Sequence, residues 1–267
     1  MSILLKMTEA GHISAPAYLL NSARYEVLMG SHAFGTASVT SDFDVYGFFI
    51  GAEQEPQSPI LEEFRLLKLE SNVAPDGRTD QVHSYDIVLF GLPLFLKRCL
   101  EGKSQSLETL FVAEENILEM AGATGKLRDN RHLFLHKRAA QEFLNFARRQ
   151  LEGMERRSLF EERRETIERW GFDIKAAYHS VRLYKEVIQL LSEGTLDLRR
   201  NCQLLLDIRQ GQWSEARVIE YCAELEAAIA SMWSGANLPE TPDKEALSRL
   251  MESLSVSEAD VSKVQNS

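Results

Sequence analysis

The chain has 267 residues, of which 44% are hydrophobic, enough for one large domain or two modest ones with packed cores. Its formal charge of −10 argues against a protein that coats nucleic acid without regard to sequence. No run of eighteen apolar residues suits a membrane span, and the amino terminus has no signal-peptide pattern. Cys99, Cys202 and Cys222 lie far apart without zinc or redox spacing, which together point to a cytoplasmic protein with reduced thiols.

In chain order, residues 14–22 read as a short helix feeding a β-prone run, Arg24 to Met29, that ends in a turn at Gly30 and Ser31. A second strand opens at Asp42 and closes at Gly47 to Gly51. Residues 53–59 are a loop by their prolines, and Leu61 to Leu69 fits helix or strand. Gln81 to Tyr85 reads as a strand that delivers Asp86, followed by a helix running to about Glu101 from Pro93. From Lys126 onward apolar residues recur at three- and four-residue intervals, over 129–150 and 161–193 and again over 214–233, so this half reads as helices. The three tryptophans are read as core, and the tail from about 240 as frayed. Charge is uneven: residues 126–169 carry 12 basic and 8 acidic side chains, either a solvated helix face or a guide for a polyanion.

The chemistry concentrates in Gly30 to Gly47, GSHAFGTASVTSDFDVYG. Gly30 and Gly35 permit backbone N–H groups to approach a ligand closely, and Ser31, Thr36 and Ser41 offer hydroxyls to phosphate oxygens. On a strand Asp42 and Asp44 share one face, and two carboxylates that close call for a cation, with Mg²⁺ the natural oxygen-bound occupant. Alone, an Asp-x-Asp is most often a polar strand start; glycine, serine and the paired aspartates together favour a metal-dependent phosphate site.

This glycine-serine, spacer, serine-Asp-x-Asp arrangement resembles the signature of the DNA polymerase β-like nucleotidyltransferase superfamily. In the form GSHAFGT…SDFDVYG it is similar to a bacterial and phage branch whose members include RNA-ligase-associated RNA repair proteins. Tyr85-Asp86, the run from Leu107 to Phe111, Asn130-Arg131 through Leu135, and Lys175 with His179, Arg182 and Leu183 extend the resemblance in patches over about 28–211. Ser104 and Gln105 depart from it, standing where members usually carry asparagine-proline.

The resemblance implies an α+β fold: a catalytic domain with a small mixed sheet over 1–120, then a helical domain over 121–267 closing a nucleotide cleft. It implies two Mg²⁺ ions, or Mn²⁺ in their place, held by Asp42, Asp44 and Asp86, which also form the catalytic set. Asp80, at even spacing from Asp86 on the same strand, is the rival third carboxylate, and helix capping is the bland reading of Asp86. Gly30, Ser31, Thr36, Ser41, Lys175, His179 and Arg182 would bind a nucleoside triphosphate such as ATP, the last three from one helix face that is otherwise a solvated basic stripe. Arg131 is a weaker candidate of that kind, and Glu108 reads as a buried partner for a base. The implied activity is transfer of a nucleoside monophosphate to an acceptor hydroxyl, an RNA end in RNA repair. Two alternatives are modification of a protein hydroxyl and a nucleotide- or RNA-binding module that has lost chemistry.

Overall fold

The computed structural model describes residues 2–51, 63–79, 81–155 and 161–265. The expected loop at 53–59 and Asp80 therefore lie outside the described residues. Two compact units divide the chain: residues Met1–Leu100, Gln105–Leu133 and Asp243–Ser267 form the first, and Glu101–Ser104 with Phe134–Pro242 form the second.

The first unit begins with α1 (Ile3–Glu9) and α2 (Ala17–Leu20), shorter than the helix expected over 14–22. Strand β1 (Ala23–Leu28) runs into α3 (Gly30–Ala33), a single helical turn where the sequence suggested only a tight turn. Then come β2 (Phe43–Ile50), β3 (Glu63–Ser71), β4 (His83–Gly91), α4 (Leu92–Leu100), α5 (Ser104–Thr109), β5 (Ile117–Met120) and α6 (Thr124–Asp129). The described strands form one mixed sheet ordered β3-β4-β2-β1-β5, in which β2 and β4 are parallel and the other pairs antiparallel. The fold is thus α+β, with the small mixed sheet and flanking helices that the sequence led us to expect.

Each face of the sheet buries apolar side chains, as strand alternation requires. On one face Leu28, Val45, Phe49, Tyr85, Ile87 and Leu89 pack with Ile3, Leu4, Met7 and Leu19 of α1 and α2. Buried charges pin these helices. Arg24 donates to the carbonyls of Leu19, Leu20 and Ser22 at 2.6–2.9 Å, closing the end of α2, and lies 3.2 Å from the Glu26 carboxylate. Glu26 in turn accepts from the Ser2 hydroxyl and, at 2.9 Å, from the Ile3 N–H, so an anion sits at the start of α1. Burial pushes the Glu26 carboxyl above its usual range, and Ser2, Arg24 and the helix N–H groups pull it back.

On the opposite face Phe48 stacks on Tyr25 at 5.3 Å and meets Phe95 of α4 at 4.6 Å. Gly47 is required in β2, because a Cβ there would overlap the Tyr25 carbonyl of the neighbouring strand. Arg128 of α6 is the hub beneath this face. Its guanidinium donates to the carbonyls of Leu110 and Val112 at 3.1 and 2.7 Å, to the Tyr25 hydroxyl at 3.3 Å and to Glu114.

The second unit is helical: α7 (Lys137–Glu155), α8 (Glu161–Trp170), α9 (Ile174–Glu193), α10 (Cys202–Arg209) and α11 (Glu215–Met232). Asp173 caps α9, accepting from the Ala176 N–H at 2.9 Å. Ser180 of α9 donates to the Ala147 carbonyl of α7 at 3.0 Å, and Glu226 of α11 joins Arg148 of α7 to the Tyr184 hydroxyl of α9. Trp213 is buried as expected, whereas Trp170 and Trp233 are half-buried. Cys99 and Cys222 are buried free thiols, and burial pushes both up, Cys222 to about 11. A final helix, α12 (Lys244–Gln265), belongs to the first unit, where Lys126 donates to the Ser253 carbonyl at 2.8 Å. Among the described residues no helix is long and apolar enough to cross a membrane.

Replacing Arg128 with Met keeps volume but leaves two buried carbonyls and a phenol without their donor. Urea unfolding should show the variant less stable by about 3 kcal/mol, with the slope of the transition unchanged.

Candidate nucleotidyl-transfer site

Parallel pairing of β2 with β4 sets Asp44, the second residue of β2, directly opposite Asp86, the fourth residue of β4. In-register residues of neighbouring strands point to the same face, so the two carboxylates are adjacent, and Asp42 lies one alternation earlier, exposed just before β2. Asp86 is a strand residue and does not cap α4, which starts six residues later. Asp80, its rival, lies outside the described residues. As its odd spacing suggested, His83 is turned to the other face, edge-on to Phe43 at 5.0 Å.

The glycine turn closes against this pair from the β1 side. The Met29 N–H donates to the Asp44 carbonyl at 2.7 Å, which fastens the end of β1 to the start of β2. Gly30 follows with φ of +56°, and a Cβ there would overlap Oδ2 of Asp44. Its absent side chain is what lets the carboxylate lie against the turn. Ser31 is half-buried on α3; Thr36 is buried behind it, its N–H donating to the Ser31 carbonyl at 2.8 Å. Ser41 ties off the approach to β2, its hydroxyl accepting from the Ser38 N–H at 2.9 Å.

Four groups around this face, Tyr46, Gln105, Arg65 and Lys68, were not assigned to the site by sequence. Tyr46, two residues beyond Asp44, has its phenol pushed up to about 12, first by burial, then by the Asp44 and Asp86 charges, against a hydrogen bond from Gln105. It is therefore a neutral hydroxyl throughout the physiological range. Gln105 is one of the two positions that depart from the branch pattern, and Arg65 of β3 adds positive charge near the same phenol. A β-bulge between Leu66 and Leu69 turns the Lys68 N–H, at a backbone φ of 54°, onto Asp86 Oδ1 at 2.8 Å. The signal for Tyr46 was present in its even spacing from Asp44; a bulge has no comparable signature.

The other site residues are placed as follows. Lys175 is exposed and His179 half-buried on α9, with Tyr178 edge-on to the imidazole at 5.1 Å. Arg182 is 6% exposed, and its Nη1 lies 2.9 Å from both carboxylate oxygens of Glu186 one turn on. These three belong to the second unit and the carboxylates to the first. Glu108 is buried, as its structural reading required, and Arg131 donates to the Arg128 carbonyl at 2.8 Å and covers the Phe111 ring.

The model of RlaP, the RNA repair pathway DNA polymerase beta family, matches residues 21–253, from the start of β1 into α12. The chain belongs to this family. No curated protein and no solved structure gives a match. Membership in RlaP accounts for the superfamily motif and for the helical half together, since the match covers both.

The RlaP site can be tested for its fit to a magnesium ion. Among the described residues, no three acidic, histidine or cysteine side chains gather as a ready-made metal cage. Mg²⁺ needs none: it is usually held by one or two carboxylates plus substrate phosphates and water. Adjacent Asp44 and Asp86 supply such a pair of hard oxygen donors, and their mutual repulsion favours a cation between them.

Gly30→Ala tests the close approach directly. The substitution forces an L residue into the left-handed region and drives Asp44 from the turn, so triphosphate binding and any turnover should fall by about 100-fold. Far-ultraviolet circular dichroism should be unchanged, because Gly30 bears on a carboxylate and not on the core.

Proposed function

We propose that this protein is a Mg²⁺-dependent nucleotidyltransferase that moves a nucleoside monophosphate from a triphosphate to the hydroxyl of an RNA end during RNA repair. Family membership supports the nucleotidyltransferase class. The observation that carries the reading to these residues is the register pairing of Asp44 with Asp86, with Gly30 packed on Asp44.

In the reaction proposed, the acceptor hydroxyl oxygen forms a bond to the α-phosphorus while the bond from that phosphorus to the bridging oxygen breaks. Pyrophosphate leaves with the electron pair, and the hydroxyl proton passes to Asp86, oriented by the Lys68 N–H, and thence to water. Asp44 and Asp86, with Asp42 beside them, would hold Mg²⁺ against the phosphate oxygens. When bound, the ion supplies charge neutralisation at those oxygens. The α3 turn offers backbone N–H groups and the Ser31 hydroxyl to the triphosphate. Neutral Tyr46 offers a hydroxyl beside the carboxylates and adds no charge.

Lys175 and His179 are proposed as phosphate contacts on the strength of the family motif. Arg182 would have to leave Glu186 to serve in the same way, and while that ion pair holds its effect is to brace α9.

The reading is tested with each α-labelled triphosphate, Mg²⁺ and RNAs of different end chemistry, following label into RNA and pyrophosphate into solution. Asp44→Asn and Asp86→Asn should each cut transfer by about 10²-fold or more at a melting temperature no lower than wild type. Lys175→Ala should raise the triphosphate KM by about tenfold, whereas Arg182→Lys should chiefly lower the melting temperature. Label appearing on protein with none on RNA would reassign the acceptor, and full transfer by either asparagine variant would remove the carboxylates from the chemistry.

A further inference from the structure

The same face of the sheet continues past the carboxylates into a recess of about 350 Å³ between the residues leading into β2, the end of β3 and the start of β4. Asp42 and Ser84 lie on its wall, and Glu70 joins them because β3 pairs it with Ser84. Gln81, Thr40, Ser41 and His83 complete the polar lining. Two valines also line it, Val39 at 94% and Val82 at 67% exposure. Leaving two such apolar side chains in water at the mouth of one polar recess gains nothing for the fold, and each would gain from covering by a flat apolar surface.

The lining selects its occupant. Glu70, and Asp42 where no cation covers it, repel a phosphate group, so the part of the recess around Glu70 suits an uncharged moiety. Its volume lies near the lower end of small-ligand pockets, about 300–1,000 Å³, with room for one nucleoside but not for a duplex end. Apolar side chains contact the faces of a base, while a carboxylate and an amide are the groups that read amino and carbonyl positions on its edge. Position then decides between the two nucleosides of the reaction. In the sheet order β3-β4-β2-β1 the Gly30 turn packs on Asp44 from the β1 side, whereas the recess opens at the lead-ins to β2 and β4 and reaches to the end of β3, away from β1. In-line displacement requires the entering oxygen and the leaving pyrophosphate on opposite sides of the phosphorus. With the pyrophosphate at the glycine turn, the acceptor belongs at the recess.

We propose that this recess binds the terminal nucleoside of the acceptor RNA strand, with Val39 and Val82 against the base and Glu70 and Gln81 reading its edge. The proposal rests on the nucleotidyl-transfer reading for its choice of acceptor over triphosphate, and it makes the enzyme selective for the last nucleoside of the strand it extends.

The test uses the full-length protein and four single-stranded oligoribonucleotides that differ only in the 3′-terminal nucleoside. Fluorescence anisotropy gives each Kd without turnover, and calorimetry gives triphosphate affinity separately. Wild type should discriminate among the four ends. Val39→Ser with Val82→Ser should weaken binding of the preferred end by about tenfold and level the four, leaving triphosphate affinity within about twofold. Glu70→Gln should change the order of preference. Equal binding of all four ends by wild type, or a double variant that matches wild type, would overturn the proposal. So would a loss confined to triphosphate affinity, which would give the recess to the donor nucleoside. The two readings fail separately: recess-dependent RNA binding with no label transfer by wild type removes the activity and keeps the recess, while normal transfer with unaltered end preference in the variants removes only the recess.

Discussion

Two carboxylates held side by side in register, Asp44 on β2 and Asp86 on β4, form the constraint on which this molecule depends. Like charges at that spacing repel, and a strand pairing that sets them together raises the free energy of the empty fold unless something offsets it. The offset seen is local: the Lys68 N–H on Asp86. On the function proposed, the remainder of the repulsion would favour a cation and the anionic ligand that a cation brings.

The surrounding fold fixes this arrangement at several points. The parallel β2–β4 pairing lies in the middle of the sheet, where both neighbours, β1 and β3, hold its register. Arg24 and Glu26 anchor α1 and α2 under one face, while Arg128 ties the opposite face to the 110–114 segment through buried carbonyls. Glycine appears where backbone or carboxylate must come closer than a side chain permits, at Gly47 against β1 and at Gly30 against Asp44. Precision at the carboxylates thus comes from rigid elements, and the turn that meets them is held by the Met29 N–H.

Much of this was legible in the sequence, because it is written in short-range pattern. The Asp-x-Asp spacing with its preceding glycine and serine pointed to the candidate site, and three- and four-residue periodicity separated the helical half from the sheet. What escaped was information held between distant residues. Asp86 joined Asp42 and Asp44 in the sequence only through the family resemblance; that it stands opposite Asp44 depends on strand register, which spacing along the chain does not encode. Strand β5 has four half-buried or exposed residues at a sheet edge, too few to show alternation. The basic stripe on α9 had the right spacing, yet Glu186, one turn beyond Arg182, turns that guanidinium into half of a buried ion pair. Gln105 looked like a local departure from a family pattern, and proves to be the hydrogen-bond partner of Tyr46.

The central claim is that the Asp44–Asp86 pair is a site for a cation shared with triphosphate, and Mn²⁺ binding followed by electron paramagnetic resonance tests it without turnover. With a non-hydrolysable triphosphate present, wild type should bind Mn²⁺ far more tightly than with the triphosphate or the protein alone. The double variant Asp44→Asn with Asp86→Asn should lose this gain while its melting temperature stays level or rises, because the like-charge repulsion is removed. Equal Mn²⁺ affinity in wild type and the double variant would contradict the account, since the paired carboxylates would then hold no ion at all.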